Sequence, residues 1–206
     1  MFTGIVTAIG TIETCEERGD LRVGIACPLD PDKIAVGASI ACAGVCLTVV
    51  ERGGTAGDAR FAVDVSAETL SHTAKDMWAE GARLNLEPSL KLGDEMGGHI
   101  VSGHVDAVGW IADWQPDGAS TRLTVRAPAA LAPFIAPKGS ITVDGVSLTV
   151  NEVADRADGS VDFGLNIIPH TSEATTLGEL AQGAEVNLEI DTVARYLQRL
   201  ESLRAG

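Results

Sequence analysis

Apolar and polar residues alternate over short stretches along most of the chain, which is typical of β-strands with one buried face. One stretch, residues 140–152, reads SITVDGVSLTVNE, and its apolar phase changes parity across Asp144-Gly145. A tight two-residue turn explains the change, because both turn residues tolerate positive φ. The pattern therefore predicts two antiparallel strands, with an apolar face formed by Ile141 and Val143 and then by Val146, Leu148 and Val150.

The same pattern occurs earlier in the chain. Residues 39–51 read SIACAGVCLTVVE and match 8 of 13 positions of the stretch above. GIVTAIGTI (4–12) matches GHVDAVGWI (103–111), and GARLNLE (81–87) matches GAEVNLE (183–189). The order is kept and the offset grows only from 99 to 102 residues, which indicates a duplicated domain.

The duplication predicts an all-β fold of two tandem, similar, small antiparallel Greek-key barrels and a C-terminal helix. The first barrel is expected over residues 1–97, the second over 98–190, and the helix over 191–206. In the first copy Ala43-Gly44 takes the place of the Asp-Gly turn, and alanine fits positive φ less well, which leaves the geometry of that turn open.

The C-terminal segment, DTVARYLQRLESLRAG, has no counterpart in the first copy. Val193, Leu197 and Leu200 recur at helical spacing, and Asp191 stands where an N-cap is expected. So short a helix is not stable alone. Its apolar stripe must be buried on its own barrel or against another subunit, and spacing alone does not separate the two.

The charge of the chain excludes several classes of partner. The formal net charge is −14, and the sequence has no basic stripe, which argues against binding to nucleic acid or to anionic membranes. The N-terminal residues do not resemble a signal peptide, and no apolar run is long enough to cross a membrane. The four cysteines form no C-x-x-C pair, and we expect reduced thiols in a cytoplasmic protein.

Several residues could carry chemistry, and each also has a structural explanation. His99 and His104 could form a zinc site with Cys42 and Cys46. Their five-residue spacing on a strand would point the imidazoles to opposite faces, and no C-x-x-C or H-x-x-x-H motif is present, which disfavours zinc. Cys46 could be a nucleophile or a small buried apolar residue. Ser147, Thr149 and Asp191 could bind a ligand, or could satisfy strand edges and cap the helix.

Six motifs together resemble one family, the riboflavin synthase α chain: MFTGIV, GVCLTV, GGHIVSGHVD, DGVSLTV, IPHTSEATTLG and VNLEID. The resemblance covers essentially the whole chain, in order, in both halves. It implies an enzyme, a transferase that converts two molecules of 6,7-dimethyl-8-ribityllumazine into riboflavin and 5-amino-6-ribitylaminouracil by moving a four-carbon unit. It also implies no metal or added cofactor, and one lumazine bound in each barrel.

The family is a homotrimer held largely by its C-terminal helices, and its active site lies between the N-terminal barrel of one subunit and the C-terminal barrel of another. This chain is therefore expected to form a homotrimer that binds lumazine and riboflavin, and an association with lumazine synthase is left open. The alternative is a non-catalytic lumazine- or flavin-binding protein of the antenna type on the same fold. Such proteins tend to lose motif residues in one half, whereas this chain keeps Thr48 and Thr149 together with Cys46 and His104.

The resemblance also implies site residues, position by position. Cys46 and His104 resemble the participants in addition and proton transfer, and Phe2 is a further catalytic position. Positions that resemble the family's substrate-binding residues are Thr3, Gly4, Ser39, Val45, Thr48, Asp64, Thr69, Gly103, Lys138, Ser147, Thr149, Ile168, Thr171 and Asp191. Ala43 departs from the family, in which an asparagine or similar polar residue often precedes the glycine.

Overall fold

The first half of the chain is a closed β-barrel. A computed structural model describes residues 1–204, so the last two residues of the predicted C-terminal helix lie outside the described part. Six strands pair antiparallel in the order β1-β2-β5-β4-β3-β6 and close. The strands are β1 (Ala8–Arg18), β2 (Asp20–Cys27), β3 (Ser39–Cys42), β4 (Val45–Thr55), β5 (Asp58–Val65) and β6 (Arg83–Pro88), with helix α1 (Ala67–His72) between the last two.

The second half repeats this order in a seven-stranded sheet, β10-β9-β13-β7-β8-β12-β11. Its elements are β7 (Ala107–Asp117), β8 (Ser120–Ala127), β9 (Ser140–Val143), β10 (Val146–Thr149), β11 (Val153–Asp155), β12 (Val161–Ile167), α2 (Pro169–Ala174) and β13 (Glu185–Ile190). The predicted pair of similar barrels is confirmed, with one difference. The counterpart of β4 is divided into β10 and β11, so strand pairing leaves this unit a half-barrel.

The two predicted strand-turn-strand units are present. In the second half Val146 pairs with Val143 and Thr149 with Ser140, around a turn in which Asp144 has φ 45° and Gly145 has φ 79°. Ala43 and Gly44 adopt nearly the same angles, 45° and 82°, so the first turn has the same shape although alanine is disfavoured there. Each unit then buries its own core, with two separate clusters of Val, Ile, Leu and Phe side chains.

The two barrels contact each other through these turns in a reciprocal way. A Cβ built on Gly44 would lie 2.8 Å from the Gly145 nitrogen, and one on Gly145 would lie 2.7 Å from the Gly44 nitrogen. Larger side chains would therefore separate the turns. Two buried asparagines, Asn85 on β6 and Asn187 on β13, reach across the same junction. The contacts relate the halves by an approximate twofold axis.

Asp144 is a buried carboxyl group at this junction, and its counterpart in the other half is apolar. It is 9% exposed, its Oδ1 accepts a hydrogen bond of 2.7 Å from the Asn187 N–H, and Ala43 takes its place in the other half. Burial raises the pKa of Asp144 from 3.8 to about 7. Between these values the folded protein binds a proton that the unfolded chain has lost, so stability falls as the pH rises from about 4 to about 7 and levels off above.

Asp144→Asn should remove this dependence on pH. The asparagine oxygen still accepts from Asn187, and the group no longer ionises. A shift of about three pKa units corresponds to about 4 kcal/mol, and we expect the variant to gain a stability of that order at pH 8 and little at pH 4. Urea unfolding at both pH values measures the difference. Equal pH slopes for the variant and the parent would show that Asp144 is already ionised in the folded protein.

Helix α3 (Thr192–Arg204) follows β13, as the C-terminal periodicity predicts. The Asp191 carboxylate caps it by accepting from the Val193 N–H at 2.9 Å. Arg195 ties the helix to its own barrel through two hydrogen bonds to Asp106, at 2.6 and 2.9 Å. The apolar side is left open, with more than half of each of these side chains exposed: Val193, Tyr196, Leu197, Leu200 and Leu203. None of the helices described between residues 1 and 204 is long and apolar enough to cross a membrane.

Candidate active site

A cavity of about 280 Å³ opens on the first barrel and contains most of the predicted reactive groups. Its walls come from three places, namely the start of β4, helix α1 and the segment that joins the two halves. Cys46 and His104, which are 58 positions apart in sequence, both face it. The full lining is Val45, Cys46, Glu68, Thr69, His72, Thr73, Gly103, His104 and Val105. We call it the first pocket.

The backbone of the joining segment places His104 beside Cys46. The Cys46 N–H donates to the Gly103 carbonyl at 2.8 Å. Gly103 has φ 79°, a backbone conformation that residues other than glycine rarely adopt. A Cβ on Gly103 would lie 2.6 Å from the Cys46 Cβ, so only glycine allows this approach. Residues 97–104 are therefore not the strand that the sequence suggested. Only Val101 makes a bridge, to Phe2.

Phe2 lies beneath this pocket. Its side chain is fully buried and forms a small cluster with Ala41 and Val101, against which Cys46 packs. The position supports the shape of the pocket floor, and no polar group of Phe2 is available for chemistry. A catalytic role for Phe2 stays a prediction.

Helix α1 supplies the other wall, which sequence reasoning identified only at Thr69. Ser66 caps the helix and accepts from the Thr69 N–H at 3.2 Å, which fixes the first turn. Glu68 and His72 lie one turn apart, and Glu68 Oε1 is 3.0 Å from His72 Nε2. The four-residue spacing of Glu68 and His72 in the sequence could have indicated that the two side chains are neighbours, but only if residues 67–72 had been predicted to be helical.

Two buried glutamates anchor the segments that cross between the barrels, residues 2–4 and 101–103, which we call the crossing segments. Glu189 is 1% exposed and accepts from the Ser102 N–H and hydroxyl and from the Gly103 N–H, at 2.8, 2.6 and 2.9 Å. Glu87 makes the equivalent bonds to Thr3 and Gly4. Burial raises the pKa of Glu87, against the effect of these hydrogen bonds. Each glutamate holds the segment that crosses to the opposite barrel.

The second half has a related arrangement around Ser147, which takes the place of Cys46. The Ser147 N–H donates to the Gly4 carbonyl at 2.8 Å, as Cys46 does to Gly103. His99 adds a contact absent from the first half, with Nδ1 2.7 Å from the Ser147 hydroxyl and Nε2 3.3 Å from Thr142 Oγ1. Burial lowers the pKa of His99, opposed by the carboxylates of Asp191 and Glu189, so the imidazole is neutral at physiological pH.

The other predicted residues of the second half surround this arrangement less closely. Thr149 is exposed at the end of β10, and Lys138 has φ 65° and its ammonium lies 3.3 Å from Asn151 Oδ1. Ile168 begins α2 and is half exposed, and Thr171 lies on that helix. Asp191 caps α3. No side-chain hydrogen bond or ion pair joins any two of these five residues.

Three further predicted residues of the first half lie apart from the pocket lining, as Phe2, Thr3 and Gly4 do. Ser39 and Thr48 are paired across β3 and β4. Asp64 points away from the core of β5, and Arg22 donates to it at 2.5 and 3.1 Å, which lowers the pKa of the carboxyl group. Arg22 also pairs with Glu51, and both of these side chains line a groove on the outer face that contains further arginines and carboxylates. Ligand binding by Ser39, Thr48 and Asp64 stays a prediction.

The two halves differ in the chemistry that they offer. Where the first has Cys46 and His104, the repeat places Ser147 and Ile5 in the second. The equivalent helices differ similarly, with Glu68 and His72 on α1 and His170 and Ala174 on α2. Both halves have a hydroxyl or thiol at the equivalent position, Cys46 in the first and Ser147 in the second. The thiol, with an imidazole beside it, belongs to the first pocket.

Comparison with known proteins confirms the duplicated domain. The family model of the lumazine binding domain matches twice, over residues 3–89 and 102–191. The fold is similar to the crystal structure of LumP complexed with riboflavin, with a TM-score of 0.78 and 24% identity over 92% of this chain and 99% of that one. The fold and site thus define a protein of two tandem lumazine-binding domains.

Curated relatives make the assignment more specific. Riboflavin synthase of Brucella abortus is 48% identical over 97% of this chain and 98% of its own length. Riboflavin synthases of Mycobacterium tuberculosis and Photobacterium phosphoreum are 44% and 42% identical, also over 97% of this chain and over 98% and 88% of theirs. The chain belongs to the riboflavin synthase family, and it is an enzyme of the transferase class.

Proposed function

We propose that this enzyme joins two molecules of 6,7-dimethyl-8-ribityllumazine, moving a four-carbon unit from one to the other. The products are riboflavin and 5-amino-6-ribitylaminouracil. The observation that carries the proposal is the similarity to riboflavin synthases along 97% of the chain, together with the meeting of Cys46 and His104 in one cavity.

Duplication of the fold suits a reaction between two copies of one substrate. Two similar pockets hold two identical molecules, and fixing both in register replaces a bimolecular encounter. This effect lowers a barrier by on the order of 7–11 kcal/mol when the reacting atoms are aligned. Each barrel, in this proposal, binds one lumazine.

The first pocket supplies the groups that the chemistry needs. The reaction begins with loss of a proton from the C7 methyl group of one lumazine and continues with nucleophilic addition at C7 of the other. His104 and Cys46 are the groups in the pocket that can take part in proton transfer and addition, and Gly103 holds them side by side. Glu68 and His72 extend the polar lining towards the opening.

The second site binds and orients its lumazine. Ser147 presents a hydroxyl whose direction is set by neutral His99, and Thr142 fixes the other nitrogen of that ring. Lys138, Thr149, Ile168, Thr171 and Asp191 complete the ligand contacts in this proposal. The lumazine that they bind faces the lumazine bound in the first barrel of a neighbouring subunit.

Assembly as a homotrimer brings the two unlike sites together. The support is the open apolar side of α3, which its own barrel does not cover. Burial of such a stripe is favourable in an oligomer. The proposed active site lies between the first barrel of one subunit and the second barrel of the next. Four free thiols suit a reducing compartment, and we place the enzyme in the cytoplasm.

Incubating the purified protein with 6,7-dimethyl-8-ribityllumazine alone tests the proposal. We expect riboflavin absorbance to rise, with one riboflavin formed for every two lumazines consumed. A chelator should not change the rate, because the proposed groups are all side chains of this chain. Tight binding of lumazine without product would instead identify a non-catalytic lumazine-binding protein.

A pair of cysteine variants separates the proposed chemistry from general damage. Cys46→Ser keeps the size of the side chain but removes the thiol, and we expect turnover to fall about tenfold with little change in stability. Cys15→Ser is the matched control, since Cys15 is also half-buried but lies on β1 and donates to the Trp78 carbonyl. Equal turnover in both variants would reduce Cys46 to a packing residue.

A further inference from the structure

Asn187 makes contacts that cross from the second barrel into the first. It lies on β13, is 2% exposed, and uses both ends of its amide. Its Oδ1 accepts from the Ala74 N–H at 2.8 Å, and its Nδ2 donates to the Ala43 carbonyl at 2.9 Å. Its own N–H donates to Asp144, which fixes the strand from which the amide extends.

These two contacts lie directly behind the first pocket. Ala74 follows Thr73, the C-cap of α1, so the Ala74 bond fixes the end of the helix that carries Glu68, Thr69 and His72. Ala43 begins the turn that leads to Val45 and Cys46. Asn187 itself does not line the pocket. It joins two of the three walls from outside.

Asn85 makes the mirror-image contacts. It lies on β6 of the first barrel and is 2% exposed. Its Oδ1 accepts from the Thr176 N–H at 2.8 Å, and its Nδ2 donates to the Asp144 carbonyl at 2.9 Å. Thr176 follows the end of α2, and Asp144 begins the turn to Ser147. Each barrel therefore sends one amide to the walls of the other barrel's site.

We propose that Asn187 and Asn85 are positioning residues, each of which shapes the ligand site of the opposite barrel. Only a side-chain amide of this length offers an acceptor to one wall and a donor to the other. The inference rests on the proposed function, because it assumes that each barrel binds one ligand. It goes further in stating that the shape of each site depends on the other half of the chain.

Alkylation of a single cysteine reports each site separately. In a Cys15→Ser background, Cys46 is the remaining accessible thiol, because Cys27 is 6% exposed and Cys42 is fully buried. Riboflavin, used as the probe ligand, should protect Cys46 from iodoacetamide when it fills the first pocket. A second reporter, with Cys46→Ser and Ser147→Cys added, reports the other site in the same way.

Two variants break each set of contacts by different means. Asn187→Ala removes the amide. Ala74→Pro leaves Asn187 in place and removes only the N–H, and it suits the backbone, since Ala74 has φ −56° and the preceding Thr73 is extended. Asn85→Ala and Thr176→Pro are the matched pair for the second site, where Thr176 is the first residue of a 3-10 helix.

We expect Asn187→Ala and Ala74→Pro to raise by about tenfold the riboflavin concentration that gives half-protection of Cys46. The concentration that half-protects the cysteine at position 147 should change less than twofold. Asn85→Ala and Thr176→Pro should give the reverse. If every variant weakens both sites equally, or if neither site changes, the positioning role is wrong. If either asparagine variant fails to fold, the proline variants decide.

The controls separate this inference from the proposed function. If riboflavin fails to protect Cys46 in the parent protein, the first pocket is not a ligand site, and both proposals fall together. If protection is normal in the parent and unchanged in the variants, the pocket stands and the positioning role does not. Steady-state kinetics of the same variants add a further check. A displaced pocket wall should raise the KM for lumazine more than a uniform loss of stability would.

Discussion

Removal of residues 192–206 is expected to lower the rate of riboflavin formation by at least about a hundredfold and to leave a monomer. The deletion takes away α3, whose open side carries Val193, Leu197 and Leu200. If each reaction uses barrels of two subunits, loss of assembly separates the two bound lumazines, and the advantage of proximity disappears. Each barrel keeps its own walls, so every subunit should still bind lumazine. Light scattering and a turnover assay on one sample measure both effects.

A milder change on the same helix provides the control. Leu197→Glu places a charge in the open stripe and should act like the deletion, whereas Gln198→Glu places the same charge on the other side of α3 and should leave assembly intact. A truncated monomer that forms riboflavin at the full rate would show that both sites of one chain face each other. It would contradict the active site between subunits.

Glu189→Ala is expected to have the second-largest effect. The change leaves three donors without partners, two on half-buried Ser102 and one on buried Gly103, and such losses cost about 3–5 kcal/mol in all. The crossing segment that carries Gly103 then shifts, and His104 moves with it. We therefore expect a fall of about a hundredfold in turnover as well as lower stability, measured by the lumazine assay and by urea unfolding.

Glu185→Ala is the matched control, because Glu185 lies on the same strand and is exposed. His104→Gln should reproduce the loss of turnover without the loss of stability. The Glu189→Ala variant could instead be less stable but have normal turnover at low temperature. In that case Glu189 stabilises the fold only, and the position of His104 does not depend on it.

Alternation and self-similarity were enough to predict the strand-turn-strand units. The parity change around Asp144-Gly145 required a turn with positive φ. The geometry at Ala43-Gly44 stayed open in the sequence, and the structure shows nearly the same angles there. Such features are local, since neighbouring residues determine them. The helical spacing of Val193, Leu197 and Leu200 predicted α3 for the same reason.

Contacts between residues far apart in the sequence could not be predicted from sequence patterns. Glu87 and Glu189 stand in apolar strands with nothing nearby in sequence to show that they bind Thr3 and Ser102. The roles of Asn85 and Asn187 were hidden for the same reason. His104 was placed with the first barrel by resemblance alone, although it lies beyond the predicted boundary at residue 97. The crossing segment explains how it reaches Cys46.

The crossing segments also determine when a newly made chain can acquire its site. Synthesis proceeds from the N-terminus, and domains generally fold in that order. The first barrel has all of its strands by residue 88, yet the segment that completes its pocket is anchored by Glu189. A nascent chain interrupted anywhere in the second half therefore holds a folded but unfinished barrel. Under the proposed function, the first pocket is therefore complete only after β13 has been synthesised.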